Sequence, residues 1–340
     1  MKKVAVVILN WNGKKWLEKF LPSVVKHTSN SDYEIIIADN GSSDDSIAFI
    51  KENYSSISII ELDKNYGFTG GYNRALVQVE AKYFVLLNSD IEVSENWLDL
   101  LTAQMESDEN VAACQAKILA FNDKSSFEYA GASGGFIDAL GFPFCRGRIF
   151  DTAEKDTKQY ENNLNVFWAT GACLMIRADL YKQTGGLDED FFAHMEEIDL
   201  CWRLQNLGYK VQVIPSAVVY HVGGGTLAQG NPRKTFYNFR NNLAMIFKNL
   251  PFPNNIFTVF FRMVLDGLAG VQFLMKGNFK GFFAIIKAHF AFYAWIPSLL
   301  KKRKQIQTKR KLSELDGVFN GSIVYHYFLK GVQKFSDLVF

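Results

Sequence analysis

Short apolar runs alternate with amphipathic stretches through the first 120 residues. Segments 4–9, 34–38, 57–61 and 83–87 are rich in Val and Ile and bounded by turn residues, which predicts strands. Between them, 14–26, 44–52 and 71–79 carry helical spacing. Strands apolar on both faces and alternating with helices predict an α/β fold, a parallel sheet covered on both sides. In such sheets ligands bind beyond the carboxyl ends of the strands. A further strand is predicted at 111–119, then a glycine-rich irregular stretch at 129–147. A second block, 167–222, reads as strand, helix, strand and strand. From about residue 238 the pattern changes to long aromatic and aliphatic runs reaching residue 300, and a boundary falls near 230–245.

Composition narrows the class. The 340 residues are 48% hydrophobic and 21% charged, enough apolar material for one large core with an appendage. A formal net charge of +2 argues against a nucleic-acid-binding surface. Four cysteines without paired spacing suggest neither a disulfide framework nor a zinc site, and fit a reducing cytosol. The apolar run after Lys2-Lys3 is too short for a signal peptide and ends at Asn10-Trp11-Asn12, so secretion is not expected.

The polar residues that follow the strands carry the candidate chemistry. Asp39-Asn40-Gly41-Ser42-Ser43-Asp44 follows the second strand. Ser43 or Asp44 suits a helix cap, but Asp39 sits at the strand end, where a carboxylate can accept from a ring N–H of a bound base. Gly67, Gly70 and Gly71 would let backbone approach a phosphate at a helix start, although such turns are common. They are not the dinucleotide fingerprint, which counts against a nicotinamide-dependent oxidoreductase. Asn88-Ser89-Asp90 reads either as a plain turn or as an oxygen ligand for a hard divalent cation shared with a diphosphate. Trp168 to Ile176 reads as a loop entering a buried strand.

Glu196, Glu197 and Asp199 open a helix that Gly208 ends. Acidic residues suit a first turn, and Asp199 can pair with Arg203 one turn on. Adjacent glutamates point about 100° apart on a helix, so one can anchor the loop while the other faces an acceptor hydroxyl as general base. His221 closes a strand before Gly223-Gly224-Gly225 and reads as a structural histidine or as a metal ligand.

In this order, Asp39-Asn40-Gly41-Ser42, Asn88-Ser89-Asp90, Glu196-Glu197-x-Asp199-Leu200 and His221 resemble glycosyltransferase family 2, nearest to its bacterial rhamnosyltransferase-like branch. The resemblance covers roughly residues 3–250, including Tyr237-Asn238-Phe239-Arg240-Asn241-Asn242. It implies the GT-A fold and an inverting displacement from a UDP- or dTDP-type nucleotide-diphospho-sugar donor. Asp39 would hold the pyrimidine, with Asn10, Asn12, Asn40, Gly67, Asn73, Asn88, Ser89 and Asp90 completing the donor side. Asp90 and His221 would contact Mg²⁺ or Mn²⁺, with Asn88 where the family's first acid stands. Glu197 matches the base, a task Glu196 or Asp199 could share. Trp168, Thr170, Gly171, Asp199 and Arg203 would line the acceptor side. The acceptor would be lipid-linked or a glycan. The implied organisation is a catalytic domain at 1–240 (donor half about 1–120, acceptor half about 121–240) and a helical region at 241–340.

Segments 256–275 and 279–300 are strongly apolar but interrupted, by Arg262 and Asp266 in the first and by Lys280, Lys287, His289 and Pro297 in the second. Clean membrane spans are nearly free of charge. Amphipathic helices in the interface fit better, with the basic cluster at 301–311 against anionic headgroups of the inner face of the plasma membrane. Packing on the catalytic domain or in a homodimer is the rival. Two other functions compete: a non-catalytic nucleotide-sugar-binding scaffold, which needs neither the glutamate pair nor His221, and a sugar nucleotidyltransferase, whose basic glycine-rich loop Asn10-Trp11-Asn12-Gly13 does not resemble.

Overall fold

The computed structural model describes residues 1–223, 231–312 and 314–340. The first half runs β1 (Lys2–Asn10), α1 (Lys14–Lys26), β2 (Tyr33–Asp39), α2 (Ser46–Asn53), β3 (Ser58–Glu61), α3 (Gly67–Leu76), β4 (Ala81–Asn88), β5 (Ile91–Val93), α4 (Trp97–Ser107), β6 (Val111–Ala120) and β7 (Asp123–Phe127). Five short strands follow: β8 (Gly135–Asp138), β9 (Pro143–Cys145), β10 (Arg148–Ile149), β11 (Thr152–Ala153) and β12 (Leu164–Asn165). The chain continues through β13 (Cys173–Arg177), α5 (Ala178–Thr184), α6 (Glu196–Asn206), β14 (Lys210–His221), α7 (Pro232–Asn249), α8 (Asn254–Met275), α9 (Phe279–Lys309), β15 (Val318–Phe319) and α10 (Ile323–Phe328).

The period of two along β1 divides the core into two layers. Val4, Val6 and Ile8 face a cluster containing Leu17 and Leu21 of α1 and Trp97, Leu98 and Leu101 of α4. Ala5 and Val7 face the other cluster, with Tyr72 and Leu76 of α3, Ile198 and Leu200 of α6 and Leu243 of α7. The sheet is therefore sandwiched between helices, as its two-sided apolar strands require.

The main sheet runs β12-β14-β6-β13-β4-β1-β2-β3, with β5 on β14 and β7 on β6. It is a mixed sheet with helices on both faces, as the α/β expectation requires. β1 is parallel to β2 and β4, β2 to β3, and β14 to β6. β13 is antiparallel to both β4 and β6. That inversion brings the start of β13 to the same edge as the carboxyl ends of β1, β2, β4, β6 and β14.

The stretch at 129–147 is not irregular. It contributes β8 and β9 to a second sheet, ordered β11-β10-β9-β8-β15. The two strands expected at the end of the second block are one, β14, with a register break between Ile214 and Val218. Elements also cross the boundary expected near 240. α7 begins at Pro232 and buries Leu243, Ala244, Met245 and Ile246 completely in the core, while β15 returns to pair with β8.

Candidate active site

The register of the sheet lines up the candidates. Asn10 pairs with Asp39 across β1 and β2, and Leu9 with Asn88 across β1 and β4. Asp39 is 3% exposed; its Oδ1 accepts from Asn10 Nδ2 at 2.9 Å and its Oδ2 from Ser42 N at 2.8 Å. Asn12 N donates to Ser42 Oγ at 2.9 Å, and Asn12 Oδ1 accepts from Ser43 N at 2.7 Å. These bonds hold the turn after β2 against the end of β1. Asn40 fastens the next loop, donating to Gly67 O at 2.9 Å and accepting from Tyr66 N at 3.0 Å. A Cβ on Gly13 would lie 3.8 Å from Ser89 Oγ, so the ends of β1 and β4 meet closely.

Asp90 and His221 stand together at this edge. His221 Nε2 is 3.2 Å from Asp90 Oδ1 and 3.4 Å from Asn88 Nδ2, and Val222 N donates to Asp90 O at 3.2 Å. Nδ1 lies 3.2 Å from Glu128 Oε2, a charge contact without hydrogen-bond geometry. Burial alone would lower the His221 pKa, but the carboxylates of Asp90 and Glu128 outweigh it and raise it to about 10. Two ligands in adjacent positions of an octahedron of ~2.1 Å bonds are about 3 Å apart. The Asp90–His221 spacing fits that requirement. Glu128 on the far ring nitrogen matches the carboxylate–histidine arrangement that orients a metal-bound imidazole. Among the described residues no three His, Cys, Asp or Glu side chains converge as a ready metal cluster. Glu128 carried no sequence signal, since it stands alone between short strands. Gly224 and Gly225 lie outside the described residues.

The glutamate pair sits at the start of α6. A Cβ on Gly171 would approach Glu197 Cβ to 3.8 Å, and Ala172 O accepts from Asn88 N at 3.0 Å. A chain of neighbours thus links Glu197 to Asn88 and His221. Glu196 is 5% exposed, whereas Glu197 is only half-buried. The Oε2 atoms of both are without a hydrogen-bond partner. Burial raises the Glu197 pKa to about 7, against the pull of the N–H groups of Glu197, Ile198 and Gly171. Burial and the neighbouring Glu197 raise Glu196 well above the usual carboxylate range. Of the two residues, Glu197 is the more exposed, although its Oε2 is itself buried.

The approach to the pair is unusual backbone. Phe192, His194 and Met195 all have φ between 66° and 73°, costly for residues with side chains. Asn241 of α7, fully buried, holds the segment by donating to the carbonyls of Phe191, Ala193 and His194 at 3.1, 2.9 and 2.8 Å. Burial lowers the His194 pKa to about 4, so its imidazole stays neutral.

Several expected site residues have other work. Asp199 is fully buried and paired with Arg203 at 2.9 Å, Lys248 at 3.0 Å and Asn249 at 2.7 Å. Both of its carboxylate oxygens are thus engaged within the fold. Arg203 also donates to Thr184 O and Gly186 O. Asn73 is committed to the same turn, through Leu187 N, Leu187 O and Tyr181 Oη. Asn73 and Arg203 line a cavity of about 360 Å³ against α9, which none of Asp39, Asp90, Glu197 or His221 lines. Trp168 is buried and donates to Phe136 O at 2.9 Å; Thr170 is buried and its N–H donates to Gln115. Gly67 packs against the Phe192 ring; at the start of α3, Gly67 N donates to Asn65 Oδ1 at 2.8 Å, and Phe192 O accepts from Phe68 N and Thr69 N.

The geometry has counterparts among known proteins. The description "Glycosyl transferase family 2" matches residues 5–185. The chain is 26% identical over 234 residues to an N-acetylglucosaminyl-diphospho-decaprenol L-rhamnosyltransferase of Mycobacterium tuberculosis, covering 64% of this chain and 75% of the relative. It is 25% identical over 229 residues to the rhamnosyltransferase WbbL of Escherichia coli, covering 64% and 83%. The crystal structure of GalNAc-T7 with UDP, GalNAc and Mn²⁺ superposes with a TM-score of 0.56 at 16% identity, covering 72% of this chain and 48% of that one, which shows a shared GT-A fold. By its matched residues and its fold, the chain belongs to glycosyl transferase family 2.

Proposed function

We propose that the protein is an inverting, metal-dependent glycosyltransferase. It moves a sugar, rhamnose being the favoured one, from a UDP- or dTDP-type donor to a lipid-linked or glycan acceptor in cell-surface polysaccharide synthesis. The observation that carries this reading is the Glu197 carboxylate, with no cation beside it and no hydrogen-bond partner for its Oε2, on the same sheet edge as the Asp90–His221 pair. A scaffold that only bound nucleotide-sugar would have no use for a desolvated, unpaired carboxylate.

In this mechanism Asp39 holds the base of the donor, and Asn10 fixes the Asp39 carboxylate. Glu197 takes the proton from the acceptor hydroxyl, which attacks the anomeric carbon on the face opposite the diphosphate. Asp90 and His221 would hold Mg²⁺ or Mn²⁺, which when bound offsets charge on the leaving diphosphate. The Mn²⁺ named with the superposed structure supports that cofactor class. The names of the two rhamnosyltransferase relatives support the sugar, and the decaprenol-linked substrate in one of them supports a lipid-linked acceptor. Such an acceptor places the enzyme on the inner face of the plasma membrane.

Two measurements test the reading. A panel of UDP-, dTDP- and GDP-sugars, scored for released nucleoside diphosphate with and without Mn²⁺, identifies the donor. Glu197→Gln is expected to bind the donor normally and lose transfer by ~10²–10⁴-fold. Wild-type turnover in that variant would remove Glu197 from the role of base.

A further inference from the structure

α8 is inverted relative to a helix on the surface of a soluble protein. Its charged residues face inward: Arg262 and Asp266 are buried, and they are its only charges. Arg262 donates to Asp266 at 2.9 Å and to Asn242 Oδ1 at 2.6 Å, and its guanidinium lies 3.4 Å from the Phe142 ring centre. His289 of α9 meets the other oxygen of Asp266 at 3.1 Å. The outward face is apolar instead. Ile256, Phe257, Phe260, Val264, Leu268 and Met275 are 49% to 83% exposed. α9 adds Phe279, Phe283 and Phe290 to it, also exposed.

Both helices are long and apolar enough to cross a bilayer. The 22 residues of α8 extend ~33 Å, slightly more than a hydrocarbon core. Packing rules out a crossing. Arg262 stands near the middle of α8 and is bonded to Asn242 and packed on Phe142 of the catalytic fold, so a spanning α8 would drag that fold into hydrocarbon.

We propose that the α8–α9 hairpin is a one-sided membrane anchor, inserting the outer stripe of α8 among the acyl chains of a phospholipid surface while its inner face stays on the enzyme. This deepens the membrane placement proposed above and rests on it. The occupant is a bilayer rather than a second copy because α8 presents no charged side chain outward, whereas protein interfaces keep a polar rim. Exposed lysines of the hairpin stand at its tip and along α9, at Lys276, Lys280, Lys287, Lys301, Lys304 and Lys309, where ammonium groups can reach headgroups. Within the basic cluster at 301–311, Lys302 is turned onto Asp190 at 2.7 Å and Arg303 onto Phe247 O at 2.6 Å, while Lys301, Lys304, Lys309 and Lys311 stay exposed; the anchor proposed here takes its binding from the apolar stripe and not from those lysines.

Flotation of the full chain with vesicles of pure phosphatidylcholine tests this. The parent is expected to float, and to keep floating in 1 M salt, because insertion does not depend on screened charge. Phe260→Glu with Leu268→Glu, both at exposed positions, should reduce binding by at least about tenfold. Lys301→Glu with Lys304→Glu should leave it unchanged. A parent that floats only with anionic lipid, or that stays unbound while sedimenting as a dimer that Phe260→Glu dissociates, overturns the proposal. Nucleotide release is measured without vesicles, so failure of the transferase reading and failure of the anchor are separate results.

Discussion

At the scale of single residues, the site is organised by unpaired charge. Glu197 has a pKa raised to about 7 by burial, from an ordinary value of 4.5. The folded state therefore holds its proton more tightly than the unfolded chain. That contribution to stability is complete below pH 4.5 and is lost as pH rises through about 7. Activity has the opposite dependence, because a base must be deprotonated. Glu197→Gln should thus be more stable than the parent at pH 8, on the order of 1–3 kcal/mol, and equal to it near pH 4. Parent kcat/KM should fall as pH drops through about 7. Thermal melts at both pH values and a pH–rate profile check these together; a variant less stable at pH 8 would mean the carboxylate is not desolvated. Glu128 makes a second case. Glu128→Gln should weaken Mn²⁺ affinity by ~10–100-fold, read by titration calorimetry, because it orients the His221 ring rather than touching the ion. The same scale shows what sequence did not reveal about Asp199. It is two positions beyond Glu197, about 200° around the helix, so it points to the opposite side and meets Lys248 and Asn249 of α7 instead. Helical geometry makes that direction legible; proximity along the chain conceals it.

At the scale of elements, strands were more legible than their directions. The apolar runs at 4–9, 34–38 and 83–87 fall within β1, β2 and β4, because strands buried on both faces leave a continuous signal. β13 has the same signal, yet nothing in it says that it runs antiparallel; that follows from which edge its loop must reach. Strands of two to four residues, such as β8 to β11, carry too few positions for any period to show. Helix α7 was visible as a motif, but not its task. Asn241 spends its amide on three carbonyls of the left-handed segment before Glu196, with Arg240 adding contacts to Asp190 O and Phe191 O. Asn241→Ala leaves those carbonyls short of donors. It should lower kcat by at least tenfold with donor affinity nearly unchanged, and cost ~1–3 kcal/mol of stability. Donor binding and single-turnover transfer measured side by side separate these effects; a fall in donor affinity alone would place Asn241 elsewhere in the mechanism.

At the scale of the whole molecule, the last hundred residues close the catalytic fold as well as extending it. Arg303 and Gln307 of α9 donate to the carbonyls of Phe247, Lys248 and Asn249, groups that the end of α7 leaves unpaired. Beyond α9, β15 adds a strand to the second sheet, Ile323 N donates to Asp138 Oδ2 at 2.9 Å, and Phe335 N donates to Glu154 Oε1 at 2.9 Å. The rings of Phe335 and Phe340 stand 4.7 and 5.4 Å from that of Phe136. The boundary read from composition marks where hydrophobic character changes, and the contacts of α7, α9 and β15 continue across it. A chain ending at Lys309 would expose Phe136 and Phe144 and leave the buried Asp138 carboxyl short of a donor. Losing even one buried aromatic costs ~3–5 kcal/mol, and several are uncovered here. Such a chain should melt at least about 10 °C lower than the full protein or fail to stay soluble, with both measured in the same detergent-containing buffer so that the anchor does not decide the outcome. An unchanged melting temperature would mean that residues 310–340 rest on the catalytic fold without supporting it.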